Sequence, residues 1–413
     1  MPGALQPSRG SFERRTWQPT RELGGSRRHR TSQVIDCLVP ASVADWDPPL
    51  TGGVAAALAE ADAAVRDLNE HAPRLASLEA LSRQLLRQES VGSSRIEGLV
   101  MGQRRLARAA AGVGGDETAR QIVGNVRAMQ SAIALASEPR DFELEDLLEI
   151  HSTLLRSTRD EHLGGIVRQE QNWVGGSAFS PKGAEFIPPP PENVPDLLAD
   201  LVTFINRDDL PVAMQAAIAH AQFETIHPFS DGNGRAGRCL IHVIYRRRQL
   251  ARTVLPPISL VLATRAQEYV GGLEEYRFED AADWFVFFAL ATMSAARKAR
   301  ALAARVEELY ERWLVALGSP RSDASSRRIA AQLPAEPIIT IARAAEMASV
   351  SNTAADNAVR ALEAAGILKR LNAKRWGRVW ETPDVFRLLD DFERELATPE
   401  SGDEPARPAP RRG

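Results

Sequence analysis

The sequence of 413 residues has little of several features that define particular protein classes. Its two cysteines, Cys37 and Cys239, are too few for a disulfide framework, which favours a reducing cytosol. The seven histidines are scattered, and no Cys/His cluster has metal-ligand spacing, so we expect no structural zinc site. The Arg-rich first thirty residues contain no apolar run of the kind that a signal peptide or a membrane span needs. These absences predict a cytoplasmic protein with no membrane partner.

Net charge and composition narrow the class further. The formal charge of −3 argues against a surface built wholly for polyanions, although it leaves room for a local basic patch. With 44% hydrophobic and 25% charged residues, the chain has the composition of an ordinary soluble globular protein. Its length allows two or three domains. The P-loop pattern G-x-x-x-x-G-K-[ST] is absent, which excludes a Walker-type nucleotide site.

Hydrophobic periodicity predicts a mainly α protein, because apolar residues recur at three- and four-residue spacing through most of the chain. One region, "GGIVRQEQNWVGGSAFSPKGAEFIPPPPENVP", is not helical, and its glycines and paired apolar residues predict a short β-hairpin between Gly175 and Phe186. The predicted organisation comprises five segments. They are a disordered basic arm (1–36), an N-terminal helical region (37–112), a core (113–317), a smaller C-terminal domain (322–395) and a disordered tail (396–413).

The stretch "HPFSDGNGRAGR", residues 227–238, concentrates residues suited to binding phosphate. Gly232, Asn233 and Gly234 are all residue types that tolerate positive φ, so they can turn successive backbone N–H groups towards one anion. A helix starting there would add the field of its N-terminus. Arg235 and Arg238 are three residues apart and would face the same way. Two guanidinium groups above such a turn suit a triphosphate.

Two further residues of this stretch suit catalysis. Asp231 supplies a carboxylate that can hold Mg²⁺ bridging phosphate oxygens. His227 stands just before the turn, where an imidazole that titrates near neutrality can take the proton of an incoming hydroxyl. We expect Phe229 to point into the core. Each residue alone is a weak signal, because a Gly/Asn turn before a helix is commonly only a capped turn.

The same twelve residues match the motif of the Fic family, HPFx[D/E]GN[G/K]RxxR, at every fixed position. The preceding "AHAQFETI" and the non-helical region also resemble that family, and the resemblance extends from about Cys37 to Leu317. It implies a Fic-type helical core in which the hairpin is a flap that holds a target protein segment by strand addition. The activity it implies is transfer of AMP from ATP to a Ser, Thr or Tyr hydroxyl of a target protein, with release of pyrophosphate.

The resemblance also implies roles for the individual residues. His227 would be the general base, Asp231 would hold Mg²⁺, and residues 232–234 would supply the anion hole. Arg235 and Arg238 would bind the β- and γ-phosphates of ATP. Tyr269, in "RAQEYVGGL", lies where relatives place an aromatic side chain near the nucleobase, although a tyrosine on a packed helix is more often part of a core. Arg168 and Trp173 are candidates for shaping the flap region, without a catalytic role.

A second stretch, "SSRIEG" (residues 93–98), resembles the inhibitory pattern of the family, [S/T]-x-x-x-E-[G/N]. Ser93 and Glu97 are four residues apart and so share one helix face. The resemblance implies that Glu97 pairs with Arg238 and thereby blocks productive ATP binding, in an enzyme that is largely inactive as isolated. In some relatives the same glutamate helps to remove AMP from a target, so deAMPylation by the same site is an alternative.

The C-terminal segment resembles a winged helix. Ser351 is a good N-cap for a helix that ends near Gly366, and "LKRLNAKRWGRVW" would form a basic wing. The wing cations are Lys369, Arg370, Lys374, Arg375 and Arg378. The helix itself offers only Arg360 as a cation, beside two acids, so any DNA binding would be weak. Docking of a partner protein or of a second protomer is therefore favoured over DNA binding. A DNA-binding regulator with a nucleotide-sensing core is the rival function, and the intact His227 and Asp231 argue against it.

Overall fold

The structure is a computed structural model in which five stretches of the chain are described. They are residues 9–19, 31–70, 78–177, 179–372 and 377–397. Within them the chain is mainly helical with two small antiparallel sheets, which confirms the predicted fold class. None of the helices in these stretches is both long enough and apolar enough to cross a membrane. The predicted tail from residue 398 onward and the wing cations Lys374 and Arg375 lie outside the described residues.

The chain forms two compact units, each assembled from three separate stretches. The first comprises Met1–Ala63, Gly124–Arg252 and Arg265–Ala289. The second comprises Ala64–Val123, Thr253–Thr264 and Leu290–Gly413. Three helices run through the boundaries: α1 (Gly52–Glu70), α4 (Glu117–Ala136) and α11 (Ala281–Ala316). The domain limits expected from the sequence, 37–112, 113–317 and 322–395, follow chain order and stay a prediction.

The helical core of the first unit is built around two neighbouring helices, α7 (Val212–Ile226) and α8 (Asn233–Arg247), that are buried on nearly every side. It also contains α5 (Leu144–Leu155), α6 (Val194–Ile205) and α10 (Ala266–Phe278). Every residue of α7 from Ala213 onward is buried, as expected of a helix that is hydrophobic all round. Asp62 holds its N-terminus by accepting hydrogen bonds from the N–H groups of Val212 (3.1 Å) and Ala213 (2.9 Å). The short link between α7 and α8 therefore joins two buried helices.

A two-stranded sheet in the first unit corrects one expectation. The basic arm was expected to be disordered through residue 36, but β1 (Ser11–Trp17) pairs antiparallel with β2 (Gln33–Val39). The reason is a small apolar cluster that this pairing buries, formed by Trp17, Ile35 and Cys37 against Trp173 and Ile187. The charged residues of "FERRTW" lie mainly on the exposed side, so the arginines that suggested disorder are compatible with a strand.

The expected flap lies between α5 and α6. It is joined by two isolated antiparallel bridges, Val174 with Phe186 and Ser177 with Ser180, rather than by a continuous ladder. Phe186 is buried at its base. The two sides of the segment pair only at these bridges, because its glycines and prolines interrupt a regular β-ladder.

The second unit contains the remaining helices and the second sheet. They are α2 (Leu78–Ile96), α3 (Gln103–Ala110), α9 (Ile258–Thr264), α12 (Ser325–Gln332), α13 (Ile341–Ala348), α14 (Asn352–Ala364) and α15 (Pro383–Ala397). The sheet comprises β3 (Ile338–Thr340), β4 (Lys369–Arg370) and β5 (Val379–Glu381) in the order β3-β5-β4. Ser351 caps α14 by accepting from the Ala354 N–H at 3.3 Å, as predicted. The sequence pattern did not indicate β3. The winged-helix assignment stays a prediction.

Both cysteines are free and buried. The Cys37 thiol donates to Gln171 Oε1 at 3.6 Å, and burial raises its pKa to about 11. The thiol of Cys37 therefore stays protonated at neutral pH.

Candidate active site

The expected phosphate-binding stretch forms the link between α7 and α8. His227 ends α7 in the left-handed region, with φ 49° and ψ 60°, and its N–H donates to the Phe223 carbonyl at 2.9 Å. Gly232 is the N-cap of α8 and has φ 78°. A histidine in this conformation is strained, and such strain persists only where the surroundings hold the residue in place. The half-buried imidazole is therefore placed by a fixed backbone rather than by a flexible loop.

Asn233 locks the link from within. Its Oδ1 accepts from the Phe229 N–H at 2.8 Å, and its Nδ2 donates to the Phe229 carbonyl at 2.7 Å. The sequence suggested that Gly232, Asn233 and Gly234 together form a turn with positive φ, but of these three only Gly232 has it. Asn233 and Gly234 instead open α8, so the N–H groups available to an anion are those of a helix's first turn.

Arg168 holds the link from the flap side. Its side chain is 3% exposed, and it donates to the carbonyls of His227 (2.9 Å), Glu170 (3.1 Å) and Pro189 (2.6 Å). Its own N–H donates to the Pro228 carbonyl at 2.9 Å. Burial lowers the pKa of this guanidinium to about 10, so Arg168 remains charged at neutral pH. One cation thus joins the segments before and after the flap, at Glu170 and Pro189, to the backbone of His227. The shaping role stays a prediction.

Asn172 and His151 complete the support and were not singled out in the sequence. Asn172 Nδ2 lies 3.2 Å from the carbonyl of His227 and 3.2 Å from that of Phe229. The His151 ring stacks on Phe229 with centroids 3.6 Å apart, and Phe229 is fully buried, as predicted. His151 Nδ1 accepts from the Gly165 N–H at 3.0 Å, so Nε2 carries the proton that it donates to the Asp231 carbonyl at 2.9 Å. A buried histidine on an amphipathic helix carries no sequence signal that separates it from an ordinary core residue.

Arg235 lies on the first turn of α8 and is 4% exposed. Its Nη2 lies 3.4 Å from Asp231 Oδ2, while Nε and Nη1 have no hydrogen-bond partner within the part of the chain that the structure describes. A buried cation with unused donors is costly. Guanidinium donors of this kind suit an oxyanion.

Arg238 and Tyr269 lie together, with Arg238 Nη1 at 3.5 Å from the Tyr269 hydroxyl. That hydroxyl also bonds His220 Nε2 at 2.8 Å. Tyr269 is 3% exposed, and its ring packs beside His220 and Trp284. The nucleobase contact stays a prediction, and the part of Tyr269 that reaches the arginine is its hydroxyl.

The two residues of the expected inhibitory pattern belong to the second unit. Ser93 is buried within α2, whereas Glu97 is exposed and occupies the first position after that helix ends at Ile96. The end is closed by Gly98, whose φ is 75° and whose N–H donates to the Arg95 carbonyl at 3.0 Å. Glu97 is thus presented at a helix terminus, not on the face of a continuing helix.

Comparison with known proteins covers both this site and α2. Residues 141–245 match the model described as Fic/DOC family, and residues 55–134 match the model described as Fic/DOC family N-terminal. These two stretches of the chain resemble the Fic/DOC family. The first match includes the link from His227 to Arg238, and the N-terminal match includes Ser93 and Glu97. The resemblance seen in the sequence is thereby confirmed.

Curated relatives with a Fic name align over part of their length. The chain is 36% identical over 139 residues to protein adenylyltransferase fic-1 of Caenorhabditis briggsae, covering 33% of this chain and 24% of that protein. It is 26% identical over 266 residues to protein adenylyltransferase Fic of Drosophila willistoni, covering 62% and 47% respectively. The chain thus spans about a quarter to a half of the length of these relatives.

Among solved structures, a Fic family protein from Desulfovibrio desulfuricans G20 matches with a TM-score of 0.49 and 22% identity. This match covers 82% of the present chain and 98% of the other.

The stretch that matches the Fic/DOC model contains a close approach of α7 and α8 at Gly237, between the two arginines. A Cβ at this position would lie 2.6 Å from Glu224 Oε1 and 2.7 Å from Phe223 Cδ1. We expect Gly237→Ala to lower the free energy of unfolding by about 1–3 kcal/mol and to displace Arg235 and Arg238. Gly271→Ala in α10 is the matched control, because no atom lies within 4 Å of its added Cβ. It should stabilise by up to ~1 kcal/mol through helix propensity. Urea denaturation measures both, and equal effects would contradict the packing argument.

His220 predicts an acid-sensitive core. Burial, together with the charges of Arg238 and Arg277, lowers its pKa to about 3 beside the Tyr269 hydroxyl. Below pH 6.5, the ordinary pKa of histidine, His220 is protonated in the unfolded chain but stays neutral in the folded chain. The free energy of unfolding therefore falls as the pH falls from about 6.5 towards 3. Between pH 6 and 4 this group should remove about 2 kcal/mol. Urea midpoints of the natural chain and of His220→Gln measure the difference, with the exposed His162→Gln as control. An unchanged pH profile in His220→Gln would contradict the assignment.

Proposed function

We propose that this chain is a protein adenylyltransferase that moves AMP from ATP to a Ser, Thr or Tyr hydroxyl of another protein. The observation that carries the proposal is Arg235, a buried guanidinium whose Nε and Nη1 have no partner in the described residues. It lies at the start of α8, whose first-turn N–H groups favour anions, and three residues before Arg238. The relatives named protein adenylyltransferase support ATP as the anion.

In the proposed reaction, His227 takes the proton of the target hydroxyl while the hydroxyl oxygen attacks the α-phosphorus of ATP. A bond forms between that oxygen and phosphorus, and the bond from the α-phosphorus to the β-bridging oxygen breaks, which releases pyrophosphate. Arg235 and Arg238 bind the β- and γ-phosphates, and the N–H groups at residues 232–234 stabilise the charge on the transferred phosphate. The fixed backbone of His227 supports this role, because a base must be held in place to act efficiently.

Asp231 is the proposed magnesium ligand. Its carboxylate is about half exposed and close to Arg235, which suits a cation shared with phosphate oxygens. The described residues contain no group of three or more His, Cys, Asp or Glu side chains that could hold a metal ion, and Asp231 is the one ligand proposed here. When bound, Mg²⁺ neutralises charge on the phosphates. The part of Asp231 is to hold it, with its own backbone carbonyl fixed by His151.

Autoinhibition by Glu97 is part of the same proposal. Its carboxylate would pair with the Arg238 guanidinium, and such a pair in a partly dry site is strong and directional. Glu97 would thereby occupy the group that the γ-phosphate needs. The sequence pattern of residues 93–98 and the N-terminal family match over α2 support this assignment. Removal of AMP by the same site is an outcome that the test below detects.

The partners follow from the flap and the C-terminal segment. A target protein would add a strand along the flap between Gly175 and Phe186. For the C-terminal segment, docking of a protein or of a second protomer is favoured over DNA. The reason is that Asp356 lies 2.8 Å from Arg360 and 2.6 Å from Arg378, so one acid engages both cations. A cytoplasmic location suits the two buried free thiols.

The test uses the purified full chain with α-labelled ATP, Mg²⁺ and cell lysate. We expect Glu97→Gly to label protein bands strongly, the natural chain to label them weakly, and Glu97→Gly combined with His227→Ala to label none. Pre-labelled targets incubated with the natural chain report loss of AMP. Label that persists without His227, or silence from Glu97→Gly, would refute AMP transfer by this site.

A further inference from the structure

The helix that precedes Glu97 is fixed on one side by α9. Gly92 permits this contact, because a Cβ there would lie 2.4 Å from the Leu260 nitrogen. Three residues earlier, the buried Glu89 accepts from the Ser259 N–H at 2.8 Å and from the Ser259 hydroxyl. This contact is rigid for two reasons. Gly92 packs directly against the backbone of α9, and the buried carboxylate of Glu89 is hydrogen-bonded to the first turn of α9.

Three arginines of α2 face the C-terminal segment of the same unit. Arg83 lies 3.1 Å from Glu336, Arg87 donates to the Ala335 carbonyl at 2.8 Å, and Arg95 lies 2.7 Å from Glu393 of α15. The three arginines are separated by four and eight residues, so they follow one side of the helix. The C-terminal segment therefore contacts α2 along most of its length.

Glu393 contacts Arg95 at the C-terminal end of α2, next to Glu97. Arg95 is two residues before Glu97. The other oxygen of Glu393 accepts from Gln103 of α3, and Gln103 donates in turn to Gln88 of α2 at 3.1 Å. One carboxylate thus joins the end of α2, the start of α3 and α15. Arg95 and Glu393 are 29% and 22% exposed, so solvent screens this pair less than a surface pair.

We propose that the C-terminal segment is a clamp on α2, in which Glu393 holds the helix end that carries Glu97 and Glu336 holds the first half of the same helix through Arg83. This inference rests on the proposed function for its consequence: the clamp keeps Glu97 in its inhibitory position, and a partner that pulls α15 away activates transfer. The C-terminal segment, which resembles a DNA-binding module, thereby binds α2 of the same chain.

The experiment uses the full chain with Glu393→Gln, Glu336→Gln and both together. Glutamine keeps the size of the side chain and removes the charge, so folding is preserved better than with alanine. The matched control is Asp390→Asn, which removes a charge from an exposed position of the same helix α15. Charge reversal, Arg95→Glu with Glu393→Arg, tests the pair itself by rescue.

We expect amide hydrogen exchange of residues 90–99 to become about 5-fold faster or more in Glu393→Gln and in the double variant, and to stay unchanged in Asp390→Asn. Glu336→Gln alone should act on the first half of α2, where Arg83 lies. AMP transfer should rise in parallel towards the level of Glu97→Gly, and the charge-reversed double variant should restore slow exchange and low transfer.

Two outcomes overturn the inference while leaving the proposed function intact. Unchanged exchange of residues 90–99 in Glu393→Gln and in the double variant would refute the clamp, whatever the activity. Faster exchange without added transfer, in a protein whose Glu97→Gly variant is active, would refute its regulatory role. Silence from Glu97→Gly itself refutes the proposed function and the regulatory role with it, whereas exchange alone then decides whether the clamp exists.

Discussion

Replacing Arg168 by methionine is expected to destabilise the protein strongly and to abolish AMP transfer. The methionine fills much of the same space but leaves the carbonyls of His227, Glu170 and Pro189 without the donors that now satisfy them. Each buried acceptor left unsatisfied costs about 1–3 kcal/mol, so a total loss of about 3–5 kcal/mol is expected. His227 would also lose the contact that keeps its backbone in a strained conformation.

Thermal unfolding measures this effect, and a fall of about 5 °C or more is expected. Arg168→Lys is the informative control, because one ammonium group cannot reach carbonyls on three separate segments. It should recover little of the stability. Arg159→Met, a change of an exposed arginine, should leave unfolding unaltered. A methionine variant as stable as the natural chain would show that these carbonyls do not depend on Arg168.

The corresponding change at Arg235 is expected to have the opposite sign on stability. Arg235→Met removes a buried charge whose Nε and Nη1 have no partner in the described residues, so the ligand-free protein should gain about 1 kcal/mol. At the same time, ATP should lose one charge-assisted contact, worth about 1.5–3 kcal/mol, which is roughly a 10- to 100-fold weaker affinity. Stability and ligand binding therefore conflict at this residue, as is common for binding sites.

Calorimetric titration with ATP and thermal unfolding without nucleotide together test this prediction. Both are made in the Glu97→Gly background, so that the proposed inhibitory pair does not mask binding. Ser230→Ala, an exposed change in the same link, is the control for both measurements. Loss of stability in Arg235→Met would show that the arginine supports the fold, and unaltered ATP affinity would remove it from the site.

The positions of the long helices and of the site-bearing link could be predicted from the sequence, since both rest on local signals. Apolar periodicity marks α7 and α8, and twelve adjacent residues carry the motif between them. The support beneath the motif could not be predicted in the same way. His151 and Asn172 lie 76 and 55 positions before His227, and their roles arise only when the chain brings them together.

The expected disorder of the N-terminal arm failed for a related reason. An arginine-rich segment indicates a solvated chain only if nothing apolar lies within reach of it. Trp17 finds that surface at Trp173, with ring centroids 5.7 Å apart in an edge-to-face arrangement. The partner lies more than 150 positions away in the sequence. Local composition thus describes the arginines correctly and misses the long-range contact that orders their strand.

The burial of both cysteines has a practical consequence for following the clamp in solution. A maleimide needs an accessible thiolate, and Cys37 and Cys239 offer neither access nor, for Cys37, an ionised sulfur at neutral pH. One cysteine introduced at an exposed position, such as Asp390→Cys on α15, would then be the thiol that reacts in the folded protein. A single fluorophore could be attached there without first replacing the natural cysteines, and its signal would report when α15 dissociates from α2.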